Sequence, residues 1–385
     1  MNILSILLGI TVLSVLVIIH ELGHYLVAKR NGVEVEEFGL GFPPKVWGKI
    51  MGRGIMRTYY SFNLLPLGGF VRLKGETTAS NEPGSFGAAS LWVKSKITYA
   101  GVAVNLVAAM LFLGIVAAIK MPVVFDNQFM VATDSEILTD EMQIGLTNFN
   151  TPAEDAGLQP GDIVYKIGPY VVDDDASLRY ALRQQAGDTV QIEYYDSSEN
   201  QGVTSALDIN SDDEAQQPLK NELGEIVRDS EGQPIKQGYT GSVISRYQEF
   251  KATWSAPIVG VVSALQFSWE TLALLGDMVT NVFQGEFEAA TAGVAGPVGI
   301  FYIFSQVDSL STVLLLSGII SLSLAVMNFL PIPALDGGRM AVTYLYNITN
   351  RELTAEKEEA IHGAGMAFLL IIVALITVVD VQRFF

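Results

Sequence analysis

Two histidines and a glutamate are spaced in this chain as a metal site on a single helix requires. His20, Glu21 and His24 form an H-E-x-x-H pattern inside an almost uncharged apolar run, residues 3–28. Residues four apart lie on one face of a helix, so both imidazoles can bind the same ion. The carboxylate of Glu21 can then reach a water molecule at that ion and act as a general base. The pattern predicts zinc-peptidase chemistry.

The third ligand has to be a carboxylate, because the chain has three histidines and no cysteine. Asp336 lies in the sequence Pro331-Ile332-Pro333-Ala334-Leu335-Asp336-Gly337-Gly338, directly after an apolar segment. Prolines and paired glycines break a helix, which at membrane depth is tolerated only where the backbone lines a cavity within the protein. A site of two histidines and one carboxylate keeps a fourth position open for water. The alternative is that Asp336 is only a turn residue at a helix end.

Composition places the chain among membrane proteins with one sizeable soluble domain. Hydrophobic residues make up 50% of the 385 residues and charged residues 17%, which is typical of several spanning segments. The net charge of -18 argues against a nucleic-acid partner. The absence of cysteine excludes disulfide scaffolds, iron–sulfur clusters and thiolate zinc sites.

Hydropathy predicts a polytopic α-helical membrane protein with about four transmembrane helices. Residues 55–71 alternate in polarity and predict a membrane-associated β-hairpin or loop. Residues 257–283 carry Glu270 and Asp277 and predict an amphipathic helix on the membrane surface. The four spans are expected at residues 3–28, 97–119, 312–330 and 363–379. The expected domains are an N-terminal membrane half (1–120), a soluble domain (121–250), an interfacial segment (251–300) and a C-terminal membrane half (301–385).

Within the soluble domain, turn chemistry at residues 151–162 precedes a predicted strand at 163–167. A helix is expected at residues 176–186 and a second strand at 189–195. Residues 197–238 are polar and acidic, which predicts a long acidic loop or a loosely ordered hairpin.

The charge distribution predicts the orientation of the spans. Residues 29–96 carry ten Lys/Arg and five Asp/Glu, a net charge of +5, and residues 121–255 carry eight and 24, a net charge of -16. The positive-inside rule places the first segment in the cytoplasm and the acidic domain outside. His20 lies about 26 Å along the first helix, towards the cytoplasmic leaflet. The third helix delivers Asp336 to that leaflet only if residues 257–283 do not span.

These motifs resemble the site-2 protease family of intramembrane zinc metalloproteases, and specifically its regulator of sigma-E protease type. The resemblance includes the H-E-x-x-H pattern and the Asn328-Phe329-Leu330-Pro331-Ile332-Pro333-Ala334-Leu335-Asp336-Gly337-Gly338 sequence. It extends to Gly39-Leu40-Gly41-Phe42-Pro43, Pro66-Leu67-Gly68-Gly69-Phe70-Val71 and Gly296-Pro297-Val298-Gly299.

The resemblance implies that His20, His24 and Asp336 bind Zn²⁺, that Glu21 is the catalytic acid and base, and that Asn328 holds the substrate backbone or the developing oxyanion. Family members often carry A-G-P-x-x-N in the second helix. Here the proline is replaced by Val102, so Asn105 is expected to be structural. The soluble domain resembles one PDZ domain, a possible site for a peptide C-terminus, where the sigma-E branch often has two.

The expected substrate is a single-pass transmembrane protein of the anti-sigma-factor kind, cleaved in a bacterial cytoplasmic (inner) membrane with the PDZ-like domain on the extracytoplasmic (periplasmic) side. A helical substrate must be unwound before its carbonyls can be attacked. The segment at 55–71 is therefore expected to bind the substrate as an added strand, with Tyr59, Phe62, Gly68 and Gly69 as contacts.

Two other functions are compatible with parts of the sequence. One is a non-proteolytic PDZ scaffold in the membrane, with a relic metal site. The retained Glu21 argues against it, because a relic site needs no base. The other is a membrane metalloprotease whose third ligand is a glutamate. No comparable glutamate motif occurs, and the Leu335-Asp336-Gly337 sequence disfavours this function.

Overall fold

Long apolar helices and two antiparallel sheets account for most of the described chain, which is residues 3–76, 82–125, 127–147, 151–219, 236, 238–285, 291, 294–307, 309–351 and 353–384 of a computed structural model. The helices are α1 (Ile3–Arg30), α2 (Leu91–Ile119), α3 (Pro152–Asp155), α4 (Asp175–Gln184), α5 (Asp212–Ala215), α6 (Ala256–Gln284), α7 (Pro297–Ser305), α8 (Leu310–Phe329), α9 (Asp336–Ile348) and α10 (Ala355–Phe384). The strands are β1 (Val35–Met51), β2 (Thr58–Leu73), β3 (Met121–Pro122), β4 (Glu136–Thr147), β5 (Ile163–Ile167), β6 (Tyr170–Val171), β7 (Thr189–Asp196), β8 (Gln201–Asp208) and β9 (Ser242–Lys251).

The chain divides into two units. The helical unit comprises Met1–Ile119, Trp254–Leu275 and Val294–Phe385. The sheet unit comprises Lys120–Thr253 and Gly276–Gly293.

Within the described residues, five helices are long and apolar enough to cross a membrane: α1, α2, α6, α8 and α10. The protein is therefore a polytopic helical membrane protein with a β-sheet unit. The sequence analysis predicts four spans, because Glu270 and Asp277 interrupt the apolar character of α6. This helix nevertheless runs unbroken for 29 residues, so length and composition make it a fifth candidate. Its placement on the membrane surface stays a prediction.

Helix α2 packs between α1 and α8, and small residues make the approach possible. A Cβ atom at Gly23 would lie 2.6 Å from the carbonyl oxygen of Ala100, so α1 and α2 are in backbone contact there. On the other side, the Ser321 hydroxyl donates to the main-chain oxygen of Asn105 at 2.9 Å. Close backbone approach and hydrogen bonds to hydroxyl groups are the usual means of packing helices in a membrane.

The Gly296-Pro297-Val298-Gly299 motif begins α7, a helix that the sequence analysis did not predict. Oδ2 of Asp380, a fully buried side chain on α10, accepts a hydrogen bond from the Gly299 N–H at 2.7 Å. A carboxylate at a helix N-terminus satisfies a free backbone donor and the helix dipole. Asp380 therefore joins α10 to α7.

Strands β1 and β2 form the predicted hairpin, but the pairing extends over more of the chain than expected. Residues 37–40 of β1 pair with residues 69–72 of β2 and also with residues 59–62. Residues 59–62 pair in addition with residues 47–50 of β1. The segment at 59–62 is therefore enclosed on both sides, whereas residues 69–73 pair on one side only among the described residues.

The sheet unit contains a seven-stranded sheet in the order β3-β9-β4-β5-β7-β8, with β6 paired to β5. The predicted strand at 163–167 is β5, the strand at 189–195 is β7 with one further residue, and the helix at 176–186 is α4, which begins and ends slightly earlier. Leu178, Ala181 and Leu182 of α4 pack into a core with β4, β5 and β7.

Part of the acidic segment 197–238 is regular structure: β8 forms a hairpin with β7, which agrees with the hairpin alternative and corrects the long-loop alternative for this part. β8 pairs along its whole length with β7, from Thr189 opposite Asp208 to Asp196 opposite Gln201. Val203 and Leu207 of β8 pack into the core of the sheet unit, and this burial stabilises a strand whose other residues are mostly polar. Residues 220–235 lie outside the described residues.

Candidate metal centre

The α1 helix places the two histidines of the H-E-x-x-H pattern one turn apart and edge to face. Their Nε2 atoms are 3.1 Å apart, with the ring planes at 78°. Gly101 of α2 makes room for both rings, since a Cβ atom there would lie 2.6 Å from Nε2 of each. A glycine at position 101 is therefore a condition for the pair to share one ion.

Asp336 reaches the histidines because the chain turns sharply before α9. Ala334 has a φ of +82°, and a Cβ atom on Gly338 would collide with the carbonyl oxygen of Ile332. An added Cβ on Gly337 would meet the carbonyl oxygens at the end of α8. The two glycines after Asp336 are thus required by the close return of the backbone.

The three side chains converge on one point. Asp336 Oδ2 lies 3.1 Å from His20 Nε2 and 3.2 Å from His24 Nε2, and these residues form a cluster able to hold a metal ion. Ligand atoms about 2.0–2.2 Å from a tetrahedral zinc ion are about 3.3–3.5 Å apart. The observed triangle is only slightly tighter, so the donor set fits zinc with one position open.

The outer ring nitrogens of the histidines also have partners. His24 Nδ1 lies 2.8 Å from the main-chain oxygen of Ile97. A carbonyl oxygen only accepts, so this nitrogen carries the hydrogen and Nε2 presents its lone pair to the centre. His20 Nδ1 faces the amide of Asn105 at 3.3 Å.

A cavity of about 320 Å³ opens beside this cluster. Glu21 lines it, next to the end of β2, where a Cβ atom on Gly69 would lie 3.8 Å from Glu21 Cγ. The lining residues are Val17, His20, Glu21, His24, Phe70, Val71, Leu73, Glu76, Phe86, Ile97, Thr98, Leu324, Asn328, Ala334, Asp336 and Arg339. The Glu21 carboxylate and the three clustered side chains therefore share one cavity.

Among the other predicted site residues, some line this cavity or lie beside it and others do not. Asn328 lines it, and its amide donates to the Leu324 carbonyl at 3.0 Å. Gly68 and Gly69 lie against α1 near Val17 and Glu21. Tyr59 and Phe62 do not line the cavity, and each pairs with β1 on both sides. An incoming strand cannot pair with the main chain of these two residues, and contact between their side chains and a substrate stays a prediction.

The sequence analysis missed a group of charged residues around Arg339. This guanidinium pairs with Glu76, which follows β2, and with Glu358 of α10 at 3.1 Å. Burial alone would lower the pKa of Arg339, but the two carboxylates raise it above its usual value. Arg339 lies one turn after Asp336, so this ion-pair network ties the start of α9 to β2 and α10.

His362, the third histidine of the chain, supports the same turn. Its Nδ1 accepts a hydrogen bond from the Ala334 N–H at 3.0 Å. Ala334 holds an unfavourable positive φ two residues before Asp336. A lone histidine far from the motif gave no signal of this contact in the sequence.

Comparison with known proteins agrees with this site. The model of peptidase family M50 matches residues 8–372. A protein of Clostridium perfringens, named as a candidate zinc metalloprotease, is 28% identical over 98% of both chains. The zinc metalloprotease RasP of Shouchella clausii is 26% identical over 99% of both chains. RasP of Oceanobacillus iheyensis is 25% identical over 98% of both. The chain belongs to peptidase family M50, the site-2 protease family, and is a bacterial membrane metalloprotease.

Proposed function

We propose that this protein is a zinc endopeptidase that cleaves single-pass membrane proteins of the anti-sigma-factor kind within or beside their transmembrane helix. The observation that carries the proposal is the convergence of His20, His24 and Asp336 on one point beside Glu21. His20 and His24 lie on the apolar helix α1, Asp336 follows the end of the apolar helix α8, and one cavity is lined by all three and by Glu21.

His20, His24 and Asp336 would hold the zinc ion. When bound, zinc supplies a Lewis acid that polarises a carbonyl group and lowers the pKa of a water molecule. Glu21 takes a proton from the attacking water and delivers it to the nitrogen of the leaving amine. Asn328, on the cavity wall, holds the substrate backbone. The C–N bond breaks, and the water's oxygen remains on the new carboxylate.

The substrate would enter as a strand along residues 69–73 of β2. These residues pair with β1 on one side only among the described residues, and Phe70, Val71 and Leu73 line the cavity. Pairing at this edge would unwind the substrate helix and hold its backbone beside Glu21.

The absence of cysteine makes this edge testable by single-cysteine cross-linking. Val71→Cys in a Glu21→Gln background should form a disulfide with a cysteine placed near the scissile bond of the substrate. Ile50→Cys, on the far edge of the same sheet, is the matched control. Equal cross-linking at both positions would exclude the 69–73 edge as the substrate site.

We assign the sheet unit to the extracytoplasmic side and the metal site to the cytoplasmic leaflet. The support is the net charge of +5 over residues 29–96 and -16 over residues 121–255. An impermeant thiol reagent applied to intact cells should label Ser198→Cys and leave Arg53→Cys unlabelled; the reverse pattern would overturn this orientation.

The sheet unit would act as a PDZ-like docking or size-selecting domain for substrates trimmed by another protease. Its support is the order of strands and the helix α4 in a single core. Deleting it should leave metal content unchanged and alter which substrate lengths are cut.

The decisive test of the proteolytic function is Glu21→Gln. The variant should retain one zinc ion per chain and lose cleavage of a single-pass substrate, because only the base is removed. His24→Ala is the matched control that loses both. Retained cleavage in Glu21→Gln would refute the role of Glu21, and a wild-type protein that binds zinc without cleaving any membrane substrate would favour a scaffold.

A further inference from the structure

Asn105 is a fully buried amide on α2 that faces the outer nitrogen of His20. Its Nδ2 atom lies 3.3 Å from His20 Nδ1. Its Oδ1 atom is buried and has no hydrogen-bond partner among the residues that the structure describes. A buried oxygen without a donor costs roughly 1–3 kcal/mol, so its presence next to the metal centre requires an explanation.

The two histidines differ in the group that faces Nδ1. At His24 the partner is the Ile97 carbonyl, which can only accept. At His20 the group nearest the ring is the amide NH₂, which can only donate. Both rings direct Nε2 to the same point. For Nε2 of His20 to bind a metal, its Nδ1 must carry the hydrogen, and two donors would then face each other.

Rotating the Asn105 amide by about 180° resolves this conflict, because its oxygen and nitrogen occupy equivalent positions. Oδ1 then accepts from Nδ1–H of His20. With the metal bound, both ends of the unrotated amide lack a hydrogen-bond partner. After the rotation, only one end lacks a partner. We propose that Asn105 is a positioning residue that accepts the Nδ1–H of His20 and fixes this imidazole in the tautomer that binds the metal.

The spacing along α2 supports this role. Ile97, Gly101 and Asn105 are four residues apart, so they lie on one face of the helix. Ile97 supplies the acceptor for His24, Gly101 leaves space for both rings, and Asn105 supplies the acceptor for His20. The hydroxyl of Ser321 holds the main chain of Asn105 from the opposite side at 2.9 Å.

This inference rests on the proposed metal function and deepens it. The first test is the zinc affinity of full-length variants, measured by competition with a chelator. Asn105→Leu keeps the size and removes the acceptor, and should weaken binding about 10- to 100-fold. Asn105→Asp restores an acceptor and should bind within about threefold of wild type or more tightly. Ser317→Ala is the matched control, because its hydroxyl donates to the Val313 carbonyl within α8 at 2.7 Å, and it should change affinity less than about twofold.

The second test reads the tautomer directly in the unmodified chain. With only three histidines, ¹⁵N-histidine labelling gives six ring signals. In the zinc-loaded protein both ligand histidines should show protonated Nδ1, and the His20 signal should lose its hydrogen-bonded shift in Asn105→Leu while the His24 signal stays.

Three results would overturn the inference: wild-type affinity in Asn105→Leu, equal losses in the Leu and Asp variants, or a His20 that binds zinc through Nδ1. None of these three results would contradict the proposed proteolytic function. A wild-type protein that binds no zinc would instead remove the proposed function itself.

Discussion

The helical unit and the sheet unit both contain polar contacts between residues distant in the chain, but several of these contacts differ in exposure. In the helical unit, 316 residues separate His20 from Asp336 and 263 separate Arg339 from Glu76, and these side chains are at most 24% exposed. In the sheet unit, two ion pairs join more exposed side chains of neighbouring strands. The Arg246–Asp140 pair has side chains 44% and 34% exposed, and the Lys166–Glu193 pair 37% and 48%.

This difference predicts where a single substitution matters. Removing one partner of a buried, charged contact leaves the other without compensation. Removing an exposed partner transfers the other to water, and such pairs contribute about 0–1 kcal/mol. The helical unit should therefore respond strongly to changes at its polar contacts, and the sheet unit weakly.

The largest effect is expected for Asp336→Ala. Two imidazoles alone make a weak site, so zinc content should fall to background, and cleavage should drop at least about a thousandfold because metal polarisation contributes several kcal/mol. Metal analysis after dialysis, with a parallel cleavage assay, measures both. A variant that keeps stoichiometric zinc would show that Asp336 is not the third ligand.

Gly338→Ala should weaken zinc binding about 10- to 100-fold, the range found when the support of a ligand is disturbed. The new methyl group would collide with the Ile332 carbonyl and displace Asp336. Gly363→Ala is the control in the same unit, since a Cβ atom there meets nothing within 4 Å. Equal affinities in the two variants would mean that the turn is not what positions Asp336.

Arg339→Met should lower the free energy of unfolding by about 2 kcal/mol, less than for a fully buried pair because the side chains are partly accessible. Glu76 and Glu358 would lose their shared cation. Denaturant unfolding measures the change. Adding Glu76→Gln should recover part of it, and a double variant no more stable than the single one would contradict the network.

The smallest effect is expected for Arg246→Met in the sheet unit, below about 1 kcal/mol. Arg246 lowers the pKa of Asp140. A lowered folded-state pKa adds stability above the unfolded value, near 3.9, and this is lost as pH falls through the folded pKa. The difference between wild type and variant should therefore be present at pH 7 and shrink below about pH 4. A difference that grows on acidification would reverse the assignment.

Local pattern was sufficient for much of the fold. The apolar segment that follows the turn residues 151–162 predicted β5, residues 189–195 predicted β7, and the longer apolar runs predicted α1, α2, α8 and α10. The acidic composition after residue 197 concealed β8, whose buried face needs only two or three apolar residues.

At the site, the ligands could be predicted and their supports could not. His20, His24 and Asp336 have ligand chemistry and spacing that are visible in one sequence. Arg339, His362 and Asn105 act through partners that are distant in the chain, and each is an ordinary residue by local pattern. The sequence also did not show which segment lies at the edge of the sheet, because residues 59–62 pair with two separate parts of β1, residues 37–40 and 47–50.

The long separation between Asp336 and the two histidines has a consequence for biosynthesis. After His20, a ribosome adds 316 residues to reach Asp336. A nascent or truncated chain thus carries the general base without a complete metal site. Synthesis past Asp336 should therefore be required before the protein can bind zinc and cleave a substrate.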